Sequence, residues 1–369
     1  MDFEFCEDQQ SLRDAVQRWV QGDYDFAQRQ AIVKSGGFSR AKWDGLMNLG
    51  LGGLLVPEVH GGLGMGAVEA MVVMEELGRG LVMEPFAHGA LIAPTVLLAG
   101  EAGPRDAWLP RIVGGEALVV LAHQERGARY ALDKTVTRAE NGRLSGTKSL
   151  VPAGDHADAF VVPAVDAAGL GLYLVERGAS GVSTRGYSLQ DGSRGAELHL
   201  ADTPATRLVG SAEALTVLER AVDVGIAALC AEGVGAMERF TQLTADYLNT
   251  RKQFGVPIAS FQALRHRMAD VKMQLELARS MSYFATLKLH ASTTERRRAL
   301  SQAKVQLGAS SRFVGQQCTQ LHGGIGVTDE YLGSHYFKRL SVMELQFGDS
   351  LHHLGIVSTL MADTAGVFA

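Results

Sequence analysis

Cysteine is scarce in this 369-residue chain, and Cys6, Cys230 and Cys318 are odd in number and far apart. That spacing excludes the paired framework of a small secreted domain, and no C-x-x-C pair offers metal spacing. The three read as free thiols of a reducing compartment. Long apolar runs are missing too, so no segment reaches the length that spans a bilayer. The opening stretch Met1-Asp2-Phe3-Glu4-Phe5-Cys6-Glu7-Asp8 is acidic where a secretory signal needs positive charge before an apolar run. Together these absences predict a cytoplasmic protein with no membrane partner. Positive charge is not in excess either. The formal net charge is −5, which argues against nonspecific nucleic-acid binding, and the run Glu295-Arg296-Arg297-Arg298 reads as a solvated helix start. There is no repeat of fixed period, no P-loop, no G-x-S-x-G, and no His/Glu cluster with metal spacing, so no metal is expected.

What is present is ordinary globular composition, with 46% hydrophobic and 20% charged residues. The length exceeds what one core usually serves, so two or three domains are expected. Residues 1–115 show apolar positions three or four apart, such as Leu12, Val16, Trp19 and Val20, and predict helices. Pro57 and the glycines at 61, 62 and 64 interrupt them, and a further helix follows over 67–77. Residues 116–208 change to short β-type runs at 117–122, 134–140, 143–151, 159–165, 170–175 and 197–200. Asn141-Gly142 supplies hairpin-turn residues between two of these runs, which predicts an antiparallel β-domain. Residues 209–369 return to long helical segments near 211–249, 260–291, 296–321 and 345–363. The fold class is therefore α+β, mostly α, in the order helices, sheet, helices.

Two clusters carry chemistry. Arg251 to Gln262, Arg-Lys-Gln-Phe-Gly-Val-Pro-Ile-Ala-Ser-Phe-Gln, breaks two long helices at Gly255 and Pro257. Arg251 has the geometry to fork onto a phosphate, Gln262 to hydrogen-bond it, and Phe254 to pack on a flat ring. A helix hairpin with a satisfied polar turn accounts for the same residues. Gln320-Leu321-His322-Gly323-Gly324-Ile325-Gly326 ends a helix where glycines admit close backbone approach, or simply cap it. His322 reads as a structural turn histidine.

Taken in order, these features resemble the acyl-CoA dehydrogenase family across essentially the whole chain. Met1-Asp2-Phe3 with Gln9, Leu12 and Arg13 is similar to the family's opening. Pro57-Glu58 before Gly61-Gly62-Leu63-Gly64, and Glu75-Glu76-Leu77-Gly78, resemble the rest of its N-terminal domain. The most specific match is R-x-x-F-G-x-x-I-x-x-F-Q at 251–262, followed by Met268-Ala269-Asp270. Gln320 to Gly326 with Thr328-Asp329-Glu330-Tyr331 resembles the second C-terminal signature.

The resemblance implies an N-terminal helical domain, a middle β-domain and a C-terminal four-helix bundle, assembled as a tetramer. It also implies FAD held at a subunit boundary, an acyl-CoA substrate in fatty acid β-oxidation chemistry, and an electron-transfer flavoprotein as acceptor. Arg251, Gln262, Gln320, Gly323 and Gly324 would then hold the pyrophosphate and adenine half of FAD for an adjacent chain, with Phe254 near the flavin.

The reaction needs a carboxylate to take an α-proton. At the position of the family's usual glutamate stands Phe347, within Leu345-Gln346-Phe347-Gly348-Asp349-Ser350. The other position used in the family falls near Gly225, also without a carboxylate, although Asp223 is kept. The middle-domain T-E-P-G-x-G-S-D is replaced by Gln124-Glu125-Arg126-Gly127-Ala128-Arg129-Tyr130-Ala131, and W-I-T by Leu150-Val151-Pro152. The eroded parts serve a chain's own flavin and substrate, whereas those serving a neighbour's FAD remain. This asymmetry resembles the small subunit of bacterial heteromeric acyl-CoA dehydrogenases, such as that of pimeloyl-CoA dehydrogenase. The alternatives are a homotetramer using Asp349 as base, and a flavin oxidase or monooxygenase of the same fold. Asp349 also suits an N-cap, Glu344 an ion pair, and Glu232 a paired carboxylate.

Overall fold

The computed structural model describes residues 4–362, so the Met1-Asp2-Phe3 match lies outside the described residues. In chain order the first helices are α1 (Glu7–Asp23), α2 (Phe26–Lys34), α3 (Arg40–Asn48), α4 (Ala67–Arg79), α5 (Ala93–Leu98) and α6 (Ala102–Val113). Eight strands follow: β1 (Val119–Leu121), β2 (Arg138–Glu140), β3 (Arg143–Pro152), β4 (Ala159–Asp166), β5 (Gly169–Glu176), β6 (Val182–Ser188), β7 (Arg194–Pro204) and β8 (Thr206–Val209). Then come α7 (Ala214–Thr250), the short strands β9 (Lys252–Gln253) and β10 (Val256–Pro257), α8 (Gln262–Lys288), α9 (Thr293–His322), α10 (Leu332–Leu345) and α11 (Ser350–Ala362). The chain forms two compact units. Among the described residues, one comprises 4–29, 71–82 and 226–362, and the other 30–70 and 83–225.

In the first unit the helices are joined by buried charge and by backbone contact. Gln9 accepts from the Cys6 N–H (3.1 Å) at the start of α1. Arg13, one turn on, donates to Glu75 of α4 at 2.9 Å. Arg79 bridges Glu76 (3.1 Å) and Glu238 of α7 (2.6 Å), and Arg279 of α8 reaches Glu238 at 2.9 Å. Glu75 is fully buried, and burial pushes its carboxyl up against the opposing pull of Arg13. Two glycines let α4 and α7 touch at the backbone. A Cβ at Gly78 would lie 2.0 Å from the Glu232 carbonyl oxygen, and one at Gly235 would lie 1.8 Å from that of Glu75. The stretch Glu75-Glu76-Leu77-Gly78 is thus a packing device that joins these two helices.

In the second unit the strands order as β6-β7-β3-β2-β4-β5-β8, with β1 on β4. Most pairs are antiparallel, while β1–β4 and β2–β4 are parallel. Asn141 (φ 50°) and Gly142 (φ 73°) both take positive φ in the tight turn between β2 and β3, as a twisted hairpin requires. Two strands, β6 and β8, were not expected from the sequence. β6 is a polar edge strand, largely half-exposed on both faces, so no apolar alternation marks it. α10 was also unexpected. Part of the first unit, it buries Tyr336, Leu340 and Met343 at helical spacing, with Gly333, Ser334 and His335 beside them.

Candidate cofactor-binding site

α7 runs into the first cluster without a break, the Arg251 N–H donating to the Tyr247 carbonyl (2.8 Å). A two-residue turn then reverses the chain. Phe254 (φ 54°) and Gly255 (φ 82°) occupy it, β9 pairs with β10, and the Ile258 N–H returns to the Arg251 carbonyl (2.8 Å). Glycine accepts that conformation freely, whereas phenylalanine is strained there. Phe254 is nevertheless 92% exposed, and it meets the Phe261 ring edge-on at 6.1 Å. α8 opens at Gln262 with no side-chain cap and no acidic residue in its first turn, leaving the positive end of the helix uncompensated. Arg251 and Gln262 are both exposed.

The second cluster ends α9. The Gly323 N–H donates to the Gln320 carbonyl, and Gly323 adopts φ 65°, ψ −142°, which side-chain-bearing residues rarely take. Gly326 is required for packing, since a Cβ there would lie 2.6 Å from the Thr319 carbonyl oxygen. Gly324 differs. Its φ is not positive, and a Cβ there meets nothing within 4 Å, so nothing in the chain itself demands a glycine. Gln320, Gly323 and Gly324 are all exposed. Within the second cluster, His322 packs against Tyr247 of α7, one helical turn before Arg251, at 4.7 Å, and against Tyr331 at 4.9 Å. The sequence read His322 as a structural turn histidine, and the structure buries it as the last residue of α9.

Asp349 sits on a separate turn, between α10 and α11. Its Oδ1 accepts the His352 N–H at 2.8 Å, which is the helix-capping geometry. Glu344 accepts the Ser350 N–H (3.1 Å) and Arg312 (3.5 Å). Phe347 takes φ 57°, and its carbonyl is bound by His353 Nε2 at 3.1 Å. Beneath the turn, the fully buried Lys304 donates to the carbonyls of Met343 (3.1 Å) and Glu344 (2.8 Å). Burial lowers its pKa to about 8. Burial, aided by Lys304, lowers His353 to about 3. Glu232 is buried in a bidentate pair with Arg339, at 2.7 and 2.8 Å.

In the sheet unit, Glu125 is the fixed point of an altered loop. Lys148, which is 0% exposed, donates to it at 2.6 Å. Thr137 Oγ1 (2.7 Å), the Val136 N–H (2.7 Å) and the Thr135 hydroxyl also donate. Burial would raise Glu125, but these donors hold it down to about 2. Burial lowers Lys148 to about 8. Lys148 was legible as an oddity, a lysine in phase with the inward Leu144 on β3. Leu150 is exposed with φ 52°, and its N–H donates to the Tyr187 hydroxyl (3.2 Å).

The acyl-CoA dehydrogenase C-terminal domain profile matches residues 214–361, and the N-terminal domain profile matches residues 6–116. Acyl-CoA dehydrogenase IpdE2 of Mycobacterium tuberculosis is 31% identical over 342 residues, covering 90% of this chain and 91% of that one. Acyl-CoA dehydrogenase FadE27 of the same organism is 28% identical over 337 residues, 89% of both. The solved ChsE4-ChsE5 complex from Mycobacterium tuberculosis matches with a TM-score of 0.90 at 27% identity, over 99% of this chain and 100% of that chain. The chain belongs to the acyl-CoA dehydrogenase family. It is accordingly an oxidoreductase of a flavoprotein family whose characteristic cofactor is FAD. Among the described residues no helix is long and apolar enough to cross a membrane.

Proposed function

We propose that this chain is a subunit of a heteromeric acyl-CoA dehydrogenase and supplies the phosphate-and-adenine half of a FAD site to a related chain that carries the catalytic base. The observation that carries the reading is the paired outward presentation of two clusters. Exposed Arg251, Phe254 and Gln262 stand on one turn, and exposed Gln320, Gly323 and Gly324 at the end of α9, where His322 packs on Tyr247, one helical turn before Arg251. Leaving a phenylalanine 92% exposed in a strained turn makes sense where another surface or a flat ring covers it. The open space above Gly323 and Gly324 suits the close approach of a pyrophosphate.

The rest of the chain favours a partner for the chemistry. When bound, FAD accepts the β-hydride as the thioester is desaturated between its α and β carbons. In this chain the position of the α-proton acceptor is Phe347, and the two nearest carboxylates, Glu344 and Asp349, both carry bonds to the N-terminus of α11. Those bonds also weigh against the alternative in which Asp349 serves as base. The Leu150 N–H is occupied by Tyr187, and Pro152 has no N–H to offer. An electron-transfer flavoprotein is the acceptor in this reading.

The test is flavin content. Purified alone, the chain should be colourless or inactive, and purified with a related acyl-CoA dehydrogenase chain encoded beside it, yellow and active. A yellow, active homomer would overturn the heteromeric reading. Peroxide formation without an added electron acceptor would move the protein to the oxidase or monooxygenase class.

A further inference from the structure

Arg251 and Gly324 lie on different helical ends, so a dinucleotide held by both requires that the two turns keep a fixed separation. One ring touches both ends. His322, 3% exposed, is the last residue of α9. It packs on Tyr247 of α7 (4.7 Å) and on Tyr331 (4.9 Å), which precedes α10, and it stacks at 6.0 Å and 19° on Phe240, two turns earlier in α7. Its Nδ1 lies 2.8 Å from the Cys318 carbonyl, so that nitrogen carries the proton and ties the ring to its own helix. Burial lowers its pKa against the opposing pull of its bond to the Cys318 carbonyl.

The connections outward are short on both sides. On α7, the carbonyl of Tyr247 receives the Arg251 N–H at 2.8 Å. On α9, a Cβ at Gly326 would stand 3.0 Å from the His322 Cβ, so the 323–327 turn wraps against the same post. Chain connectivity alone does not link the Arg251 turn to the Gln320–Gly324 turn. The aromatic stack does.

We infer that His322 is a positioning residue for the cofactor, setting the distance between the Arg251 hairpin and the Gln320–Gly324 turn so that both grip one dinucleotide. The inference rests on the reading that these turns hold FAD. A loosened post would transfer the cost of ordering one turn to the binding step.

FAD affinity in the purified assembly tests it, measured by flavin fluorescence after reversible removal of the flavin. His322→Phe keeps a buried aromatic ring and loses both ring nitrogens, whereas His322→Ala removes the ring. Tyr247→Leu removes the facing ring and serves if His322→Ala does not fold. His322→Ala or Tyr247→Leu should weaken FAD binding by about tenfold or more, and His322→Phe should stay within about threefold of the parent, because only the first two unfix the turns. With flavin saturating, the KM for the acyl-CoA should not change. Parent-like affinity in the ring-removing variant that folds would overturn the inference. So would a His322→Phe loss as large as that of His322→Ala. Arg251→Ala run in parallel separates the two levels. If it weakens FAD while the ring variants do not, only the positioning role fails. If it too leaves FAD affinity unchanged, the cofactor reading fails and the positioning role with it.

Discussion

Gly235 and Gly324 are chemically identical and sit in opposite circumstances. A Cβ at Gly235 would enter the Glu75 carbonyl oxygen at 1.8 Å, while one at Gly324 meets open space. Gly235→Ala should therefore cost about 1–3 kcal/mol or more through overpacking between two backbones, visible as a lowered thermal midpoint. Gly324→Val should leave the midpoint of the isolated chain unchanged and weaken FAD retention in the assembly, because only the external ligand would meet the new side chain. A Gly324→Val assembly with normal flavin content would remove Gly324 from the site. At Lys148, replacement by Met leaves the Glu125 carboxylate buried without its cation, at a cost of about 3–5 kcal/mol, read in a denaturation curve. Lys148→Met together with Glu125→Gln should recover part of the loss, since no buried charge then stands alone.

The α10–α11 connection shows how an element boundary responds to pH. Folded His353 has a pKa near 3, against an ordinary value of 6.5. Between these values the unfolded chain takes up a proton that the folded chain refuses, so stability falls as pH drops from 6.5 toward 3. Buried His123, lowered to about 4, acts in the same direction. Glu125, held near 2 against 4.5, adds a second loss as pH falls below about 4.5. The urea midpoint should decline from pH 7 to 5, and His353→Gln should flatten part of that decline. An unchanged slope in the variant would mean that His353 is not protonated differently in the two states. At the same boundary, α10 carries a short apolar period in Tyr336, Leu340 and Met343 that the sequence reading passed over, and its buried Ser334 and His335 are held by hydrogen bonds to the Tyr331 and Asp329 carbonyls.

At the scale of the whole molecule, the prediction concerns what FAD stabilises. A ligand that binds only the folded, assembled state raises stability in proportion to RT ln(1 + [L]/Kd), about 2.7 kcal/mol at a hundredfold excess over Kd. Added FAD should raise the thermal midpoint of the co-purified assembly and leave that of the isolated chain unmoved. An equal rise for the isolated chain would show a complete site within one kind of subunit.

Much of this was written in local patterns. The order of helices, sheet and helices followed from a change of period. The Asn141-Gly142 turn followed from its residues, and the two C-terminal clusters from breaks that Gly and Pro impose on long helices. Those are short-range effects of backbone sterics and apolar spacing, and they are legible without a fold. Three-dimensional packing decided the rest. Glu75 and Gly78 serve the crossing of α4 with α7, Glu125 needs a lysine 23 residues away, Asp349 caps α11, and His322 at the end of α9 packs on Tyr247 of α7. Each role is set by which groups burial brings within a few ångströms of one another, a distance that separation along the chain does not encode.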